Sequence, residues 1–343
     1  MHTPDTMRIP DLRHHLRTLG ANPAHERHVL RRWAQAKPQD SGRRRIDHYL
    51  PQTLRHALPA LSEELAALAR LHSEHPARDD SARLLIALHD GQTVEAVRLP
   101  RGEGLCVSTQ VGCAVGCTFC MTGTMGLVRQ LGSAEIVAQV ALARQRRAVS
   151  KVVFMGMGEP AHNLDNVMDA IELLGQEGGI GHKNLVFSTV GDARVFDRLP
   201  QGIVKPALAL SLHATNDARR VQLLPRAPRI PIAELVERAE QYARAVHYPI
   251  QYQWTLLAGV NDGDDEIEGI VGLLQGKHAI LNMIPYNRVE GFAFERPSAE
   301  RCTTIFRTLN QRGVLTRLRQ SAGQDVDAGC GQLRSRVIAL RAA

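Results

Sequence analysis

Aromatic side chains are scarce in this 343-residue sequence, at 4% of the composition. Modules that read nucleic acid by stacking bases on a sheet need several of them, so that class is disfavoured. No stretch approaches the ~18 apolar residues of a membrane span, and residues 1–16 lack the apolar run of a secretory signal. These absences predict a cytoplasmic protein without a membrane partner.

Cysteine is also infrequent, with six residues in the chain. Without an export signal, so few cysteines in a chain of this length indicate metal binding or catalysis before disulfide cross-linking. Basic residues are in excess, because 42 lysines and arginines face 35 acidic residues and the pI is about 9.3. A basic surface favours polyanions, chiefly nucleic acid, and a solvated charged face is the simpler alternative.

The basic excess is concentrated near the N-terminus, where residues 1–60 contain eleven lysines and arginines and five acidic residues. Leucines recur there at helical spacing. From residue 83 apolar residues alternate on both sides of Asp90-Gly91, a hairpin signal. We therefore expect a basic helical accessory domain over residues 1–82, which binds nucleic acid or is only a solvated cap. Residues 83–343 are expected to form the core, with an N-terminal β-hairpin and a cysteine-bearing tail.

Strand-like and helix-like runs alternate from residue 105 to residue 311. The predicted strands are 105–109, 151–155, 184–189, 207–212, 251–257 and 279–284. The predicted helices are 133–146, 164–175, 232–245, 264–274 and 299–311. This alternation predicts an α/β fold with a parallel sheet, and six repeats fit either a partial barrel or an open sheet. Active sites of such folds form at the carboxyl ends of the strands, where polar residues and glycines occur here.

Cys113, Cys117 and Cys120 lie within eight residues in CxxxCxxC spacing. Three thiolates can hold a cubane [4Fe–4S] cluster and leave its fourth iron open to another ligand. Soft sulfur ligands select iron–sulfur clusters or zinc over harder ions. A structural zinc is the alternative, although it needs a fourth protein ligand and no His or Cys follows closely.

The cysteine motif resembles that of the radical S-adenosylmethionine (SAM) superfamily, including an aromatic residue, Phe119, before the last cysteine. A second superfamily feature, Gly-Met-Gly-Glu-Pro at residues 156–160, follows the second predicted strand. The resemblance implies a partial (βα)6 TIM-like barrel and a [4Fe–4S] cluster whose open iron chelates SAM. One electron then splits SAM and gives a 5′-deoxyadenosyl radical that abstracts hydrogen. Glu159 offers negative charge to the ammonium group of SAM.

Seven segments in order resemble the RlmN/Cfr family of radical SAM RNA adenosine methyltransferases. They lie at residues 104–110, 154–160, 187–191, 209–214, 259–262, 284–287 and 328–333. The resemblance implies methylation of an adenine ring carbon, carbon 2 in preference to carbon 8, in ribosomal or transfer RNA. It also implies two SAM molecules per turnover and an electron donor such as flavodoxin. We expect a monomer, because no repeated interface motif is present.

The family resemblance also assigns roles to individual residues. Cys330 matches a cysteine that carries the methyl group, Cys106 a thiol that resolves the carrier through a disulfide, and Glu95 a proton acceptor. A structural cysteine is the alternative for Cys106 and Cys330, and a solvent-facing carboxylate is the alternative for Glu95. The residues implied to bind SAM are Gly158, Glu159, Ser188, Ser211, Leu212, His213 and Asn287.

Two other functions stay open at the level of sequence. A radical SAM enzyme acting on a small molecule or peptide would not need Cys106 and Cys330 together. A non-catalytic iron–sulfur protein would bind RNA without cleaving SAM. Cys302 matches none of the family segments and falls in a predicted helix, so we expect it in the core.

Overall fold

The computed structural model describes residues 7–41, 45–100, 102–124 and 126–335. The α-helices in these ranges are α1 (Ile9–Thr18), α2 (Pro23–Ala34), α3 (Gln52–Ala67), α4 (Ser133–Arg144), α5 (Leu164–Gln176), α6 (Ala193–Arg198), α7 (Asp217–Leu223), α8 (Ile232–Val246), α9 (Asp264–Leu274) and α10 (Ala299–Gln311). The strands are β1 (Arg70–Pro76), β2 (Ala82–Ala87), β3 (Thr93–Arg98), β4 (Gly104–Cys106), β5 (Gln110–Gly112), β6 (Leu127–Gln130), β7 (Lys151–Phe154), β8 (Leu185–Thr189), β9 (Ala207–Ser211), β10 (Ile250–Leu256), β11 (Ala279–Pro285) and β12 (Thr316–Leu318).

The main sheet has the strand order β1-β2-β3-β4-β7-β8-β9-β10-β11-β12. Strands β4 and β7 to β12 run parallel to one another. Strand β3 pairs antiparallel with β4, β2 with β3, and β1 with β2. Residues of β4, β7, β10 and the segment after β12 line one cavity, so the sheet curves around it. Because β4 and β12 do not pair in the described chain, the result is a partial barrel. The predicted α/β fold is confirmed.

The N-terminal helices cover the outside of this sheet. Every residue of α4 except Arg144 is buried, since α2 and α3 pack on the face of α4 that would otherwise meet solvent. A helix that is apolar on all sides, as the Ile-Val-Ala-Gln-Val-Ala-Leu run of α4 is, requires such cover. The Ile9 amide donates to Ser133 Oγ at 2.7 Å, and Arg144 donates to the Ala34 carbonyl at 2.7 Å. One continuous apolar core runs from Ile9 to Leu333.

Most predicted elements are found within one to three residues of their expected ends, and the hairpin at Asp90-Gly91 is formed by β2 and β3. The helical structure expected for the N-terminal accessory domain is wrong beyond α3, because β1 follows it and pairs antiparallel with β2. The sequence of β1 is mostly polar, so it shows no alternation of apolar and polar residues that would predict a strand. Strand β12, helix α7 and the β5–β6 hairpin were not predicted, since each is too short to show a period. Arg43 and Arg44 of the N-terminal basic region lie outside the described residues. None of the described helices is both long and apolar enough for a membrane span.

Candidate active site

The three cysteines of the CxxxCxxC motif lie in the loop that joins β5 to β6. Backbone hydrogen bonds fix this loop: the Cys113 amide donates to Gly126 at 2.9 Å, and the Thr118 amide donates to Leu223 at 3.0 Å. All three cysteines line one cavity of about 160 Å³. Leu223 belongs to α7, so this unpredicted helix is part of the apolar shell around the loop. The structure therefore brings the predicted ligands together.

The thiols are held in surroundings that disfavour their charged form. Burial raises the pKa of Cys113 to about 12 and also raises the pKa of Cys117 and Cys120. For Cys117 the neighbouring Cys120 and Cys113 add to the effect of burial. Thiolates are stable in such a place when positive iron neutralises them, which fits a bound cluster. No three His, Cys, Asp or Glu side chains in the described residues are arranged around a single metal ion; in a cubane each thiolate binds its own iron.

The Gly-Met-Gly-Glu segment forms a tight turn after β7. A Cβ atom on Gly156 would lie 2.7 Å from the Val107 carbonyl oxygen, so a side chain cannot fit there. Gly158 has a φ of +104°, and a Cβ there would lie 2.7 Å from the side chain of Gln110. Only glycine allows this backbone to pass so close to the neighbouring segment. Both glycines and Glu159 line the same cavity as the cysteines.

Glu159 is buried, at 4% exposure, and its carboxylate is held by backbone donors. The Ala161 amide donates to it at 3.1 Å and the Val190 amide at 3.0 Å. Burial raises the pKa of Glu159 to about 7, although these hydrogen bonds and one from Thr189 oppose the shift. Each carboxylate oxygen has a second lone pair, so a cationic group in the cavity can still be bound. A buried carboxylate of this kind fits the ammonium group of SAM.

The opposite wall of the cavity is built by the carboxyl ends of β8 and β9. Ser188 and Ser211 line it, and His213 follows two residues after β9. The ring of His213 meets Phe119 edge to face, with ring centroids 4.9 Å apart. The Thr255 amide donates to His213 Nδ1 at 3.0 Å, so the neutral ring carries its proton on Nε2. Desolvation and the charge of Arg220 lower the pKa of His213 to about 3, which keeps the ring neutral.

Two of the residues expected to bind SAM do not line this cavity. Leu212 is fully buried, and its amide donates to the Gln253 carbonyl at 3.1 Å. Asn287 donates through Nδ2 to Ser321 Oγ at 2.7 Å and to the Cys330 carbonyl at 3.0 Å. Its Oδ1 is buried without a hydrogen-bond partner among the described residues. A buried acceptor of this kind is costly unless a ligand donates to it, which fits a bound cofactor.

Cys330 is placed by the tail that crosses the cysteine loop. The Met121 amide donates to the Gly331 carbonyl at 2.7 Å, and Thr122 Oγ1 donates to the Leu333 carbonyl at 2.6 Å. Cys330 is exposed as a residue, and it lines the cavity of the cysteine motif. Crowding around the thiol raises its pKa, whereas Arg319 and a hydrogen bond with Ser321 lower it. The thiol that was predicted to carry the methyl group therefore lies beside the candidate cluster site.

A second cavity, of about 550 Å³, adjoins the first and shares Cys330 with it. Cys106, the last residue of β4, lines this second cavity. Burial, then the nearby Cys330, raises the pKa of Cys106 to about 12. Both thiols are free, so a standing disulfide is not part of this structure. Cys302 is buried in α10 away from both cavities, as expected of a core residue.

Glu95 lies on β3 and is not a solvent-facing carboxylate, since it is fully buried. It forms an ion pair with Arg83, and it accepts a hydrogen bond from the Arg334 amide at 3.0 Å. Arg83 also donates to the Val326 carbonyl at 2.6 Å. Glu95 lines neither cavity. In this structure the pair of Glu95 and Arg83 holds the chain on both sides of Cys330.

Sequence reasoning missed several residues that line the second cavity. Lys151 and Arg319 lie at its rim, and Ser321 and Gln253 line its wall. The only sequence indication for Arg319 was its spacing of two residues from Arg317, which is typical of side chains on one face of a strand. Strand β12 has only three residues, so the pattern was too short to recognise. Lys151 gave no signal, since a lysine at the start of a strand is ordinary.

Comparison with known proteins agrees with this geometry. Residues 107–273 match the Radical SAM superfamily model. The chain is 70% identical over 332 residues to a probable RNA methyltransferase of Methylibium petroleiphilum. This alignment covers 97% of this chain and 94% of that protein. It is 68% identical over 333 residues to a probable RNA methyltransferase of Leptothrix cholodnii, covering 97% and 96%.

A solved structure is similar over nearly the whole chain. The crystal structure of a radical SAM methyltransferase from Sphaerobacter thermophilus superposes with a TM-score of 0.83 at 34% identity, covering 97% of this chain and 99% of that one. Such agreement extends to the N-terminal helices as well as the barrel. The cysteine motif, the fold and these relatives together show that the chain belongs to the RlmN/Cfr family of radical SAM RNA methyltransferases.

Proposed function

We propose that this protein methylates a ring carbon of adenine, carbon 2 in preference to carbon 8, in ribosomal or transfer RNA. One observation carries the proposal: Cys330 and Cys106 line the same cavity, and Cys330 also lines the adjoining cavity of the cysteine motif. A ring carbon between two nitrogens is electrophilic and does not attack the methyl group of SAM directly. Two thiols beside a radical site offer a covalent route. An RNA substrate also favours a cytoplasmic location.

The cofactors implied by the family fit the residues present. Cys113, Cys117 and Cys120 would hold a [4Fe–4S] cluster. The proposed SAM contacts that line the cavity are Gly158, Glu159, Ser188, Ser211 and His213. Leu212 and Asn287 lie outside its lining and are proposed from the family resemblance, with the buried Asn287 Oδ1 as additional support for the latter. When bound, the cluster and SAM supply a 5′-deoxyadenosyl radical that takes a hydrogen atom from a methyl group. We further propose two SAM molecules per turnover, a flavodoxin-like electron donor and a monomeric enzyme.

Cys330 is the proposed methyl carrier. Its thiolate attacks the methyl carbon of one SAM molecule, a sulfur–carbon bond forms, and S-adenosylhomocysteine leaves. After that methyl group loses a hydrogen atom, its carbon bonds to the adenine ring carbon. Burial raises the pKa of Cys330, and the charge of Arg319 and the hydrogen bond with Ser321 limit this rise, so that they assist formation of the thiolate. An activated sulfur nucleophile is what this first step requires.

Cys106 and Glu95 are proposed to release the product. Glu95 is proposed, from the family resemblance, as the acceptor of the ring proton; because it is fully buried and lines neither cavity, the tail would first have to move and open its hydrogen bond from the Arg334 amide. Cys106 sulfur bonds to Cys330 sulfur, and the bond from Cys330 sulfur to the transferred carbon breaks. One electron leaves the adduct, for which the oxidised iron–sulfur cluster would be the acceptor when bound, and the transferred carbon takes up a proton to become the methyl group. Two electrons from an external donor then reduce the disulfide.

The test is methylation of RNA by the anaerobically reconstituted protein with SAM and dithionite, read by nucleoside mass spectrometry. We expect 2-methyladenosine from the wild type and none from Cys330→Ala, because the carbon has no carrier. Cys302→Ala is the matched control, since this thiol lines neither cavity. Methyladenosine formed by Cys330→Ala would contradict the carrier role, and a wild type that forms neither methyladenosine isomer would contradict the proposed function.

A further inference from the structure

Three cations stand together at the rim of the larger cavity. Lys151 begins β7 and Arg319 follows β12, and both line the cavity that contains Cys106 and Cys330. Arg317 lies two residues before Arg319, on the same face of β12, because side chains alternate along a strand. These three residues, Lys151, Arg317 and Arg319, are called the rim cations below. Lys151 is on the strand next to β4, and Arg317 and Arg319 are on and just after β12, so the three charges lie on the two sides of the opening between β4 and β12.

The rim cations have no side-chain partners in the part of the chain that the structure describes. No described residue makes a side-chain hydrogen bond or an ion pair with Lys151, Arg317 or Arg319. The only carboxylate among the described residues lining the cavity is Glu103. Other arginines near carboxylates are paired, as Arg129 is with Asp90 and Glu135. The three charges of the rim are therefore not paired with any described carboxylate side chain.

Like charges placed together oppose one another. Lys151 is exposed as a residue, but partial desolvation of its ammonium, together with Arg319 and Arg317, lowers its pKa. Such a group destabilises the fold until an anion binds among its members. The cavity that Lys151 and Arg319 line is also lined by Cys106 and Cys330. An anionic group bound at the rim would therefore lie close to a second group of the same ligand that enters the cavity.

We propose that the rim cations bind backbone phosphates of the RNA strand next to the adenosine whose base enters the cavity. This inference rests on the proposed function and adds a positioning site to it. RNA carries a phosphate on each side of every internal nucleoside, and arginine binds phosphate through its planar fork of donors. Contacts to phosphate fix the register of the strand and do not read its sequence. The rim cations are therefore positioning residues rather than catalytic residues.

The test is binding of a short fluorescein-labelled single-stranded RNA, measured by fluorescence anisotropy over a series of salt concentrations. The double variant Lys151→Gln/Arg317→Gln removes two charges without touching Arg319, whose charge also acts on Cys330. We expect its affinity for RNA to fall roughly tenfold, and the slope of log K against log salt to shrink by about 0.7 for each lost contact. The KM for RNA should rise in parallel.

Arg307→Gln is the matched control, because Arg307 is exposed on α10 and has no ion-pair partner among the described residues. Melting temperatures establish that each variant folds. Lys151→Arg, which keeps the positive charge, should leave the salt slope of the wild type unchanged. An unchanged slope in the double variant, or an equal loss in Arg307→Gln, would overturn the proposal. A wild type that binds RNA through these residues but forms no methyladenosine would instead contradict the proposed function alone.

Discussion

At the scale of the residue, the backbone conformation and the tautomer of His213 are both set by neighbouring residues. His213 has a left-handed backbone with a φ of 62°, which is uncommon for residues other than glycine, and Asn261 Nδ2 donates to its carbonyl at 2.8 Å. With Nδ1 occupied by the Thr255 amide, the protonated Nε2 is the donor left for a ligand. The sequence indicated His213 through the family motif alone, because left-handed geometry and tautomer depend on neighbours distant in the chain.

The buried, neutral ring of His213 predicts loss of stability in acid. Its pKa is about 3 in the native state and near 6.5 when unfolded, so only the unfolded chain takes up the proton as pH falls below 6.5. The free energy of unfolding should decrease across this window by up to about 1.4 kcal/mol per pH unit from this residue. His213→Asn, which tolerates the backbone and keeps an acceptor, should remove that part of the slope.

Urea denaturation of the metal-free protein at a series of pH values measures this effect. His247→Asn controls for the backbone, because His247 is exposed and has a similar φ of 60°. A variant at His213 with the same acid dependence as the wild type would show that the ring is protonated in the native protein.

At the scale of elements, the long strands and helices of the barrel were predictable and the short ones were not. Strands β8, β9 and β11 are mostly apolar, β10 alternates apolar residues with Gln251, Gln253 and Thr255, and the predicted ends of α9 and α10 agree with the structure. Strand β12 has three residues, two of them exposed. It exists because the Leu281 amide donates to the Leu315 carbonyl and the Arg319 amide donates to that of Met283. Such pairing is set by the rest of the fold.

Two glycines, one in the turn after β7 and one in helix α9, are expected to respond oppositely to substitution by alanine. Gly156→Ala would bring Cβ against the Val107 carbonyl at 2.7 Å, a backbone atom of the neighbouring segment. We expect a loss of about 1–3 kcal/mol in the free energy of unfolding, together with weaker SAM binding, because the two segments must separate. Gly272→Ala, in helix α9 with open space at its Cβ, should gain about 0.5–1 kcal/mol. Calorimetry with SAM and urea denaturation measure both, and equal effects at the two positions would contradict this interpretation.

At the scale of the whole molecule, the N-terminal helices and the barrel share one core. The expected division at residue 82 places β1 in the accessory part, yet β1 pairs with β2 of the hairpin. Polar links add to the apolar contacts, as Arg31 pairs with Glu177 at 3.0 Å and Arg8 with Asp169 at 2.6 Å. Sequence patterns describe each helix alone, so they could not show that α4 needs α2 and α3 as cover.

A shared core predicts a single unfolding transition. The two tryptophans report on the two parts, since Trp33 lies in α2 and Trp254 in β10. In Trp254→Phe and in Trp33→Phe, the remaining fluorescence should change at the same temperature as the far-UV circular dichroism of that variant. Trp33 fluorescence that changes well before the dichroism would show that the N-terminal helices unfold separately.

The anchoring of the tail has a consequence for movement during the reaction. Asn287 binds the Cys330 carbonyl, Met121 binds the next one, and the Gly329 amide donates to Gln332 at 3.0 Å. With its backbone pinned on both sides, the sulfur can pivot about one side-chain torsion but cannot swing on a loop. Under the proposed function, the target nucleotide would therefore have to flip out and travel to a nearly stationary Cys330 sulfur.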